Sequence, residues 1–345
     1  MSVWTLDFGL KTLGLIYGKV ADLRNTLYDK GVFETYGLGA RTISVGNLTA
    51  GGTGKTPLVA YIACILAERG EKVCILTRGY GRENPENRVL VSDGKQVLAE
   101  PKVAGDEPFE LASKLVGKAV VIADADRVSA AEWAKRKFGI TAFILDDGFQ
   151  HRRAKRDIDI VCIDATDPFG SGKMLPAGRL REPDHNLKRA DIVVITRANL
   201  VDQIENLKSE ISNLNKPAAV FDAKNKIVRV VALEEFHAKP QRTQRKMRAE
   251  KAFAFCGIGN AANFFDQLRQ EKYAVISTHS FRDHHIFNQS DVAEIENLAV
   301  KSGGKILLTT AKDAVKLSNF KFELPCFVVE IELRLDDPDS FAAML

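Results

Sequence analysis

Through the first thirty residues, apolar side chains recur at every third or fourth place: Leu6, Leu10, Leu13, Tyr17, Val20, Leu23 and Leu27. That period predicts an amphipathic helix over residues 2–30. Trp4, Phe8, Leu15 and Ile16 widen its apolar face, while Asp7, Lys11, Lys19 and Asp22 keep it from crossing a bilayer. Taken alone, such a stripe packs against its own domain, and the alternative is a helix lying on a lipid surface. From residue 43 the pattern changes to short unbroken apolar runs, at 73–77 (VCILT), 119–123 (AVVIA), 141–145 (TAFIL), 158–163 and 192–196. Runs of this length between turn residues are strands buried on both faces. Helical stretches alternate with them, so the first 215 or so residues predict a doubly wound parallel sheet. Residues 88–99 read as a hairpin turning at Asp93-Gly94.

The pattern weakens after residue 216. Two short extended runs, 218–221 and 227–233, lead into a polar, basic segment that ends near Lys251. We take 217–251 as a hinge and an exposed loop. A smaller α/β unit follows, with strands at 252–256, 274–278 and 306–310 and helices at 261–270 and 289–301. The expected division is therefore a helix to residue 35, a first domain at 36–216, the hinge, and a second domain at 252–345.

The chemistry sits where these strands end. The first runs through ISVGN into Leu48, Thr49, Ala50, Gly51, Gly52, Thr53, Gly54, Lys55 and Thr56, and a helix follows at 58–68. This is a phosphate-binding loop: successive backbone N–H groups curl around an anion, Lys55 adds a point charge, and Thr56 offers a hydroxyl to Mg²⁺. It departs from the usual spacing, because Thr49 stands where the first glycine is expected. The strand at 141–145 ends in Asp146-Asp147-Gly148-Phe149-Gln150-His151. An acidic strand end following a phosphate loop is the expected place for Mg²⁺. Asp106, followed by Glu107 and Pro108, has the look of a helix N-cap. The loop LPAGRLREP carries Arg179 and Arg181, equally suited to clamping phosphate or to a solvated surface. Adjacent His284 and His285 follow Asp283 in a polar loop and are candidates for proton chemistry.

Composition changes the picture little. Of 345 residues 45% are hydrophobic and 27% charged, an ordinary globular mix. A net charge of +4 does not argue for nucleic acid, and none is expected as a partner. Five cysteines with no C-x-x-C pair read as reduced thiols of a cytosolic protein.

Taken together, SVGNLTAGGTGKTP, LTRGYGR, GDEP, ADADR, LDDGFQHRR, LPAGRLREP, FCGIGNAANFF, FRDHHIF and LTTAKDAVKL resemble, in order, the tetraacyldisaccharide 4′-kinases that make lipid A. The resemblance implies ATP- and Mg²⁺-dependent phosphorylation of the 4′-hydroxyl of a tetraacyldisaccharide 1-phosphate, giving lipid IVA. It implies a P-loop NTPase-like domain and a smaller α/β domain joined by a two-stranded hinge, with the active site between them. Thr49 and Gly51 to Thr56 would bind ATP; Thr56, Asp146 and Asp147 would hold the metal, with Gln150 in the same motif. Asp106 and His284 would form a catalytic dyad, overriding the cap reading. Arg127 and Arg181 would face the transferred phosphate or the acceptor. The N-terminal helix would rest on the cytoplasmic face of the inner membrane, and a peripheral monomer is expected. The competing reading is a nucleotide switch or metallochaperone-type NTPase acting through a protein partner. The missing guanine-reading N-K-x-D motif, with Thr196-Arg197-Ala198-Asn199 standing in its place, counts against it.

Overall fold

A computed structural model describes residues 3–214, 218–236, 247–283 and 285–345, with the side chains of residues 3–8 also outside the description. The chain divides into two compact units: residues 1–224 with 335–345, and residues 225–334.

In the first unit, helix α1 (Val3–Asp29) precedes strand β1 (Arg41–Gly46), helix α2 (Lys55–Glu68), β2 (Val73–Thr77) and β3 (Val89–Asp93). Then come α3 (Pro101–Ala104), α4 (Asp106–Lys114), β4 (Ala119–Ala123), α5 (Arg127–Phe138), β5 (Ala142–Asp146), β6 (Ile158–Asp164), β7 (Ile192–Thr196) and α6 (Ile204–Leu214). Strands β8 (Ala219–Ala232) and β12 (Cys326–Leu335) carry the chain out and back, and a last helix (Pro338–Met344) returns to the first unit. The strand order β7-β6-β1-β5-β2-β4-β3 is parallel except for β3, which runs antiparallel to β4. The central strands are buried along almost their whole length because helices cover both faces. Leu76, Ile122, Phe143 and Leu145 pack one face under α5, Val161, Ile163, Val193 and Ile195 continue that face with Ile211 of α6, and Ile43, Ile75, Val121 and Ile144 fill the opposite face. Loops leaving the carboxyl ends of β1, β5, β6 and β7 thus gather at one edge, where ligands of such sheets bind.

Three local expectations give way. The stretch at 88–99 turns at Asp93-Gly94 but forms only a minimal hairpin: β3 pairs along its length with β4, and across the turn there are the Ser92–Val97 bridge and a bond from the Leu98 N–H to the Val91 carbonyl. The two extended runs after 216 join into one 14-residue strand, because neighbouring strands supply ladder partners through the polar middle. The cap of α4 is Gly105, at φ 90°, and Asp106 begins the first turn. Gly105 is needed there because a side chain would meet the Tyr80 carbonyl oxygen at 2.8 Å.

Helix α1 settles on the first unit by its small and polar side. A Cβ on Gly14 would lie 3.1 Å from the carbonyl oxygen of Met174, and one on Gly18 would lie 3.3 Å from its Cγ, so two glycines let the backbones approach. Further along, Asp22 accepts from Asn186 at 2.8 Å, Asn25 donates to Glu182 at 2.8 Å, and Asp29 pairs with Arg152 at 2.7 Å. The apolar stripe is left facing outward: Leu15 is 69% exposed, Ile16 54%, Val20 59% and Leu23 60%. Among the described residues no helix is long and apolar enough to cross a membrane.

The second unit has β9 (Ala252–Cys256), α7 (Ala261–Gln270), β10 (Val275–Ser280), α8 (Gln289–Ser302), β11 (Ile306–Thr310) and α9 (Ala311–Leu317). Its strands run β10-β9-β11-β12, all parallel. Phe253, Phe255 and Leu307 fill one side of this sheet and Ala254, Phe264 and Leu308 the other.

Candidate active site

The loop between β1 and α2 is shaped by its glycines. Gly51 and Gly54 hold φ of 113° and 81°, in the region that side chains avoid. A Cβ on Gly51 would meet the Arg179 guanidinium at 2.1 Å, so a side chain there would displace Arg179 as well as strain the backbone. Lys55 opens α2 and donates to Asn47 Oδ1 at 3.1 Å, with Asp147 Oδ1 at 3.4 Å. Thr56 is the second residue of the helix and half-buried.

Asp147, just past β5, is the hub. It sits at φ 51°, a left-handed conformation that costs a non-glycine residue about 1 kcal/mol or more and persists only where its surroundings enforce it. Arg181 grips both carboxylate oxygens at 2.9 and 2.8 Å, and Arg127 donates to its backbone carbonyl at 3.3 Å. Burial alone would raise the Asp147 carboxyl; Lys55, Arg181 and Arg127 outweigh it and hold the group ionised well below the usual range. Asp146 is the contrast. It is 2% exposed, and burial together with Glu107 and Asp147 pushes it up to about 6 against the pull of Lys55 and Arg127. No lysine or arginine among the described residues forms an ion pair with it. Arg127 is 3% exposed; burial works against its charge, and Asp147 and Asp146 support it.

The structure therefore brings together Lys55, Asp146, Asp147, Arg127 and Arg181. Gln150 belongs to a supporting layer: it donates to the Asn47 carbonyl at 2.9 Å and to Glu182 at 2.8 Å. Arg179 turns to the outside of the loop, binding the Ala50 carbonyl at 2.8 Å and Asp167 at 2.7 Å. Of the two arginines in that segment, Arg181 is the one that reaches the acidic pair. Asp106 lies half-buried at the start of α4, and His284 lies outside the described residues. Sequence reasoning missed Asn47, which holds Lys55, and Glu182, which is 2% exposed and ties Arg189, Gln150 and Asn25 together. A buried polar residue beside a motif has no signal in spacing.

Two observations fit a nucleotide phosphate beside this loop. Gly52 faces open space, with nothing within 4 Å of where a Cβ would stand, and Thr53 Oγ1 and Arg127 Nε are buried with no hydrogen-bond partner among the described residues, donors that an anion satisfies. For a metal, the described residues contain no cluster of three or more His, Cys, Asp or Glu. The donors beside the loop are the Thr56 hydroxyl and the Asp146 carboxylate, hard oxygen groups of the kind Mg²⁺ takes one or two of from a protein.

A phosphate loop opening α2, an acidic strand end beside its lysine, and two arginines aimed at that end define a P-loop phosphotransferase. Residues 6–345 match the family described as tetraacyldisaccharide-1-P 4′-kinase. The chain is 41% identical over 98% of its length to the tetraacyldisaccharide 4′-kinase of Halothermothrix orenii, covering 91% of that protein. It is 37% identical over 95% of its length to that of Geobacter metallireducens, covering 94%. A crystal structure of LpxK from Aquifex aeolicus in complex with ATP superposes with a TM-score of 0.75 at 30% identity, covering 98% of both chains. This chain belongs to the tetraacyldisaccharide 4′-kinase family, kinases of lipid A biosynthesis.

Proposed function

We propose that the chain moves the γ-phosphoryl group of ATP to the 4′-hydroxyl of a tetraacyldisaccharide 1-phosphate, giving lipid IVA, with Lys55, Arg181 and Arg127 as the cations that meet developing charge. The convergence of these three on Asp147 beside the phosphate loop carries the reading. Phosphoryl transfer asks for positioning and charge neutralisation, with little covalent help. The loop amides and Lys55 hold the β- and γ-phosphates. Asp147, already ionised, keeps Lys55 and Arg181 at fixed separation, so the site is organised before substrate arrives. Thr56 and Asp146 are the residues that would hold Mg²⁺, with Asp147 as the further candidate, and the ion would supply charge neutralisation at the phosphates. Burial raises the affinity of Asp146 for a proton, and a cation beside it would favour the ionised form.

For the acceptor, the family resemblance assigns the 4′-hydroxyl proton to His284 and its orientation to Asp106. A histidine titrating near pH 6 to 7 suits that task, since in a loose transition state the proton leaves late. The acceptor carries four acyl chains, and the exposed stripe of α1 supports peripheral binding to a lipid surface, which the family resemblance makes the inner membrane's cytoplasmic side. The test is transfer from labelled ATP to the lipid in mixed micelles, with Lys55→Ala, Asp106→Ala and His284→Ala alongside. ATP hydrolysis without phosphorylated lipid would move the partner-dependent switch to first place.

A further inference from the structure

The outer edge of the phosphate loop is pinned by side chains that the reading above does not use. Arg197 Nη2 donates to the Gly52 carbonyl at 2.9 Å, and Thr196 Oγ1 donates to the Thr53 carbonyl at 2.8 Å. Both residues stand at the end of β7. Arg197 is itself fixed, its other nitrogen paired with Asp164 at the end of β6, and its backbone is held at φ 57°. With Asp147 it is one of the few non-glycine residues at positive φ, and such strain gathers where a site over-determines its backbone. Thr196 also packs on Gly54, where a Cβ would lie 3.2 Å from its Cγ2.

We infer that Arg197 and Thr196 are positioning residues for ATP, clamping the Gly52 and Thr53 carbonyls outward so that the next amides in the loop face the phosphates. The geometry follows from the peptide bond. In a trans peptide the C=O and the following N–H point in opposite directions, and the only cis bond described is Leu175–Pro176. A carbonyl held toward β6 and β7 therefore turns the N–H of Thr53, or of Gly54, to the loop's inner side. Glycine-rich loops are free to flip these peptides, and each flip would replace an anion-binding donor with a repelling oxygen. The clamp removes that freedom before ATP arrives.

The inference rests on the ATP reading, and the experiment separates the two. ATP affinity is measured by titration calorimetry on the full chain, and the KM values for ATP and lipid are measured in mixed micelles, for wild type, Arg197→Ala, Arg197→Lys and Thr196→Val. A charged hydrogen bond to a carbonyl is worth enough that Arg197→Ala should bind ATP about tenfold more weakly or worse, and Thr196→Val about threefold. The ATP KM should rise in step while the lipid KM stays within about twofold of wild type. Arg197→Lys, which keeps the charge beside Asp164 without the forked geometry, should fall between. If Arg197→Ala does not fold, the near-isosteric Thr196→Val decides. Unchanged ATP affinity in the folded variants, or equal rises in both KM values, overturns the clamp. Failure of the wild type to bind ATP rejects the kinase reading itself.

Discussion

Replacing Leu15, Ile16 and Leu23 together with serine tests what the outward face of α1 is for. These side chains are 69%, 54% and 60% exposed and lie away from the glycine seam that seats the helix, so the folded unit should lose little. Fully burying a leucine or isoleucine is worth about 1.5–3 kcal/mol, and with six-tenths of each side chain still open roughly 1–1.8 kcal/mol remains to be gained. A helix lying in a membrane interface buries about half of that, so the three together contribute about 2 kcal/mol, or roughly thirtyfold in vesicle partitioning. Sedimentation with anionic vesicles reads the partition coefficient directly. The triple variant should remain in the supernatant at lipid concentrations that pellet the wild type, while its ATP affinity is unchanged. Partitioning within about threefold of wild type would refute the membrane role of this face and return the stripe to an unexplained surface.

Other perturbations follow from the same geometry. Arg181→Ala removes both bonds to the Asp147 carboxylate and should lower kcat at least tenfold with a smaller change in ATP affinity; unchanged kcat would take Arg181 out of the reaction. Glu182→Ala strands Arg189, Gln150 and Asn25 around a nearly buried position and should cost about 3 kcal/mol in urea unfolding, whereas a loss under about 1 kcal/mol would mean that water replaces the carboxylate. His151 is held at about 3 by burial and by neighbouring Arg127 and Arg156, well below its usual value. A depressed folded value means that its contribution to stability is complete above about pH 6.5 and drains away as pH falls toward 3. Relative to wild type, His151→Gln should therefore lose about 2–3 kcal/mol less between pH 6.5 and 4.5, and parallel curves would remove His151 from the acid response.

Much of this was legible in the sequence because it lies in continuous stretches. The order of buried strands and the chemistry at their ends could be read from apolar runs broken by glycine and aspartate, and residues 43–57 announced the phosphate loop. What stayed hidden depends on where separate segments meet. The stripe Leu13, Tyr17, Val20 and Leu23 was legible as a face, but whether it is buried is decided by Gly14, Gly18 and Asn25, whose value appears only once Met174 and Glu182 are placed beside them. Thr196 and Arg197 stood out in the sequence only as the place where a guanine-reading motif was missing. Their bonds to Gly52 and Thr53 join positions more than 140 residues apart, a relation that no local pattern carries. Asp106 resembled a cap because Asp-Glu-Pro suits a first turn, and the left-handed glycine before it took that place.

The central claim is a phosphoryl transfer organised by Lys55 beside Asp147. The most direct measurement follows labelled γ-phosphate from Mg-ATP into tetraacyldisaccharide 1-phosphate, comparing wild type with Lys55→Ala. Labelled lipid IVA from the wild type and a loss of at least a hundredfold in the variant is the expected result. Label that reaches only free phosphate, or lipid phosphorylation that survives without Lys55, would contradict the account.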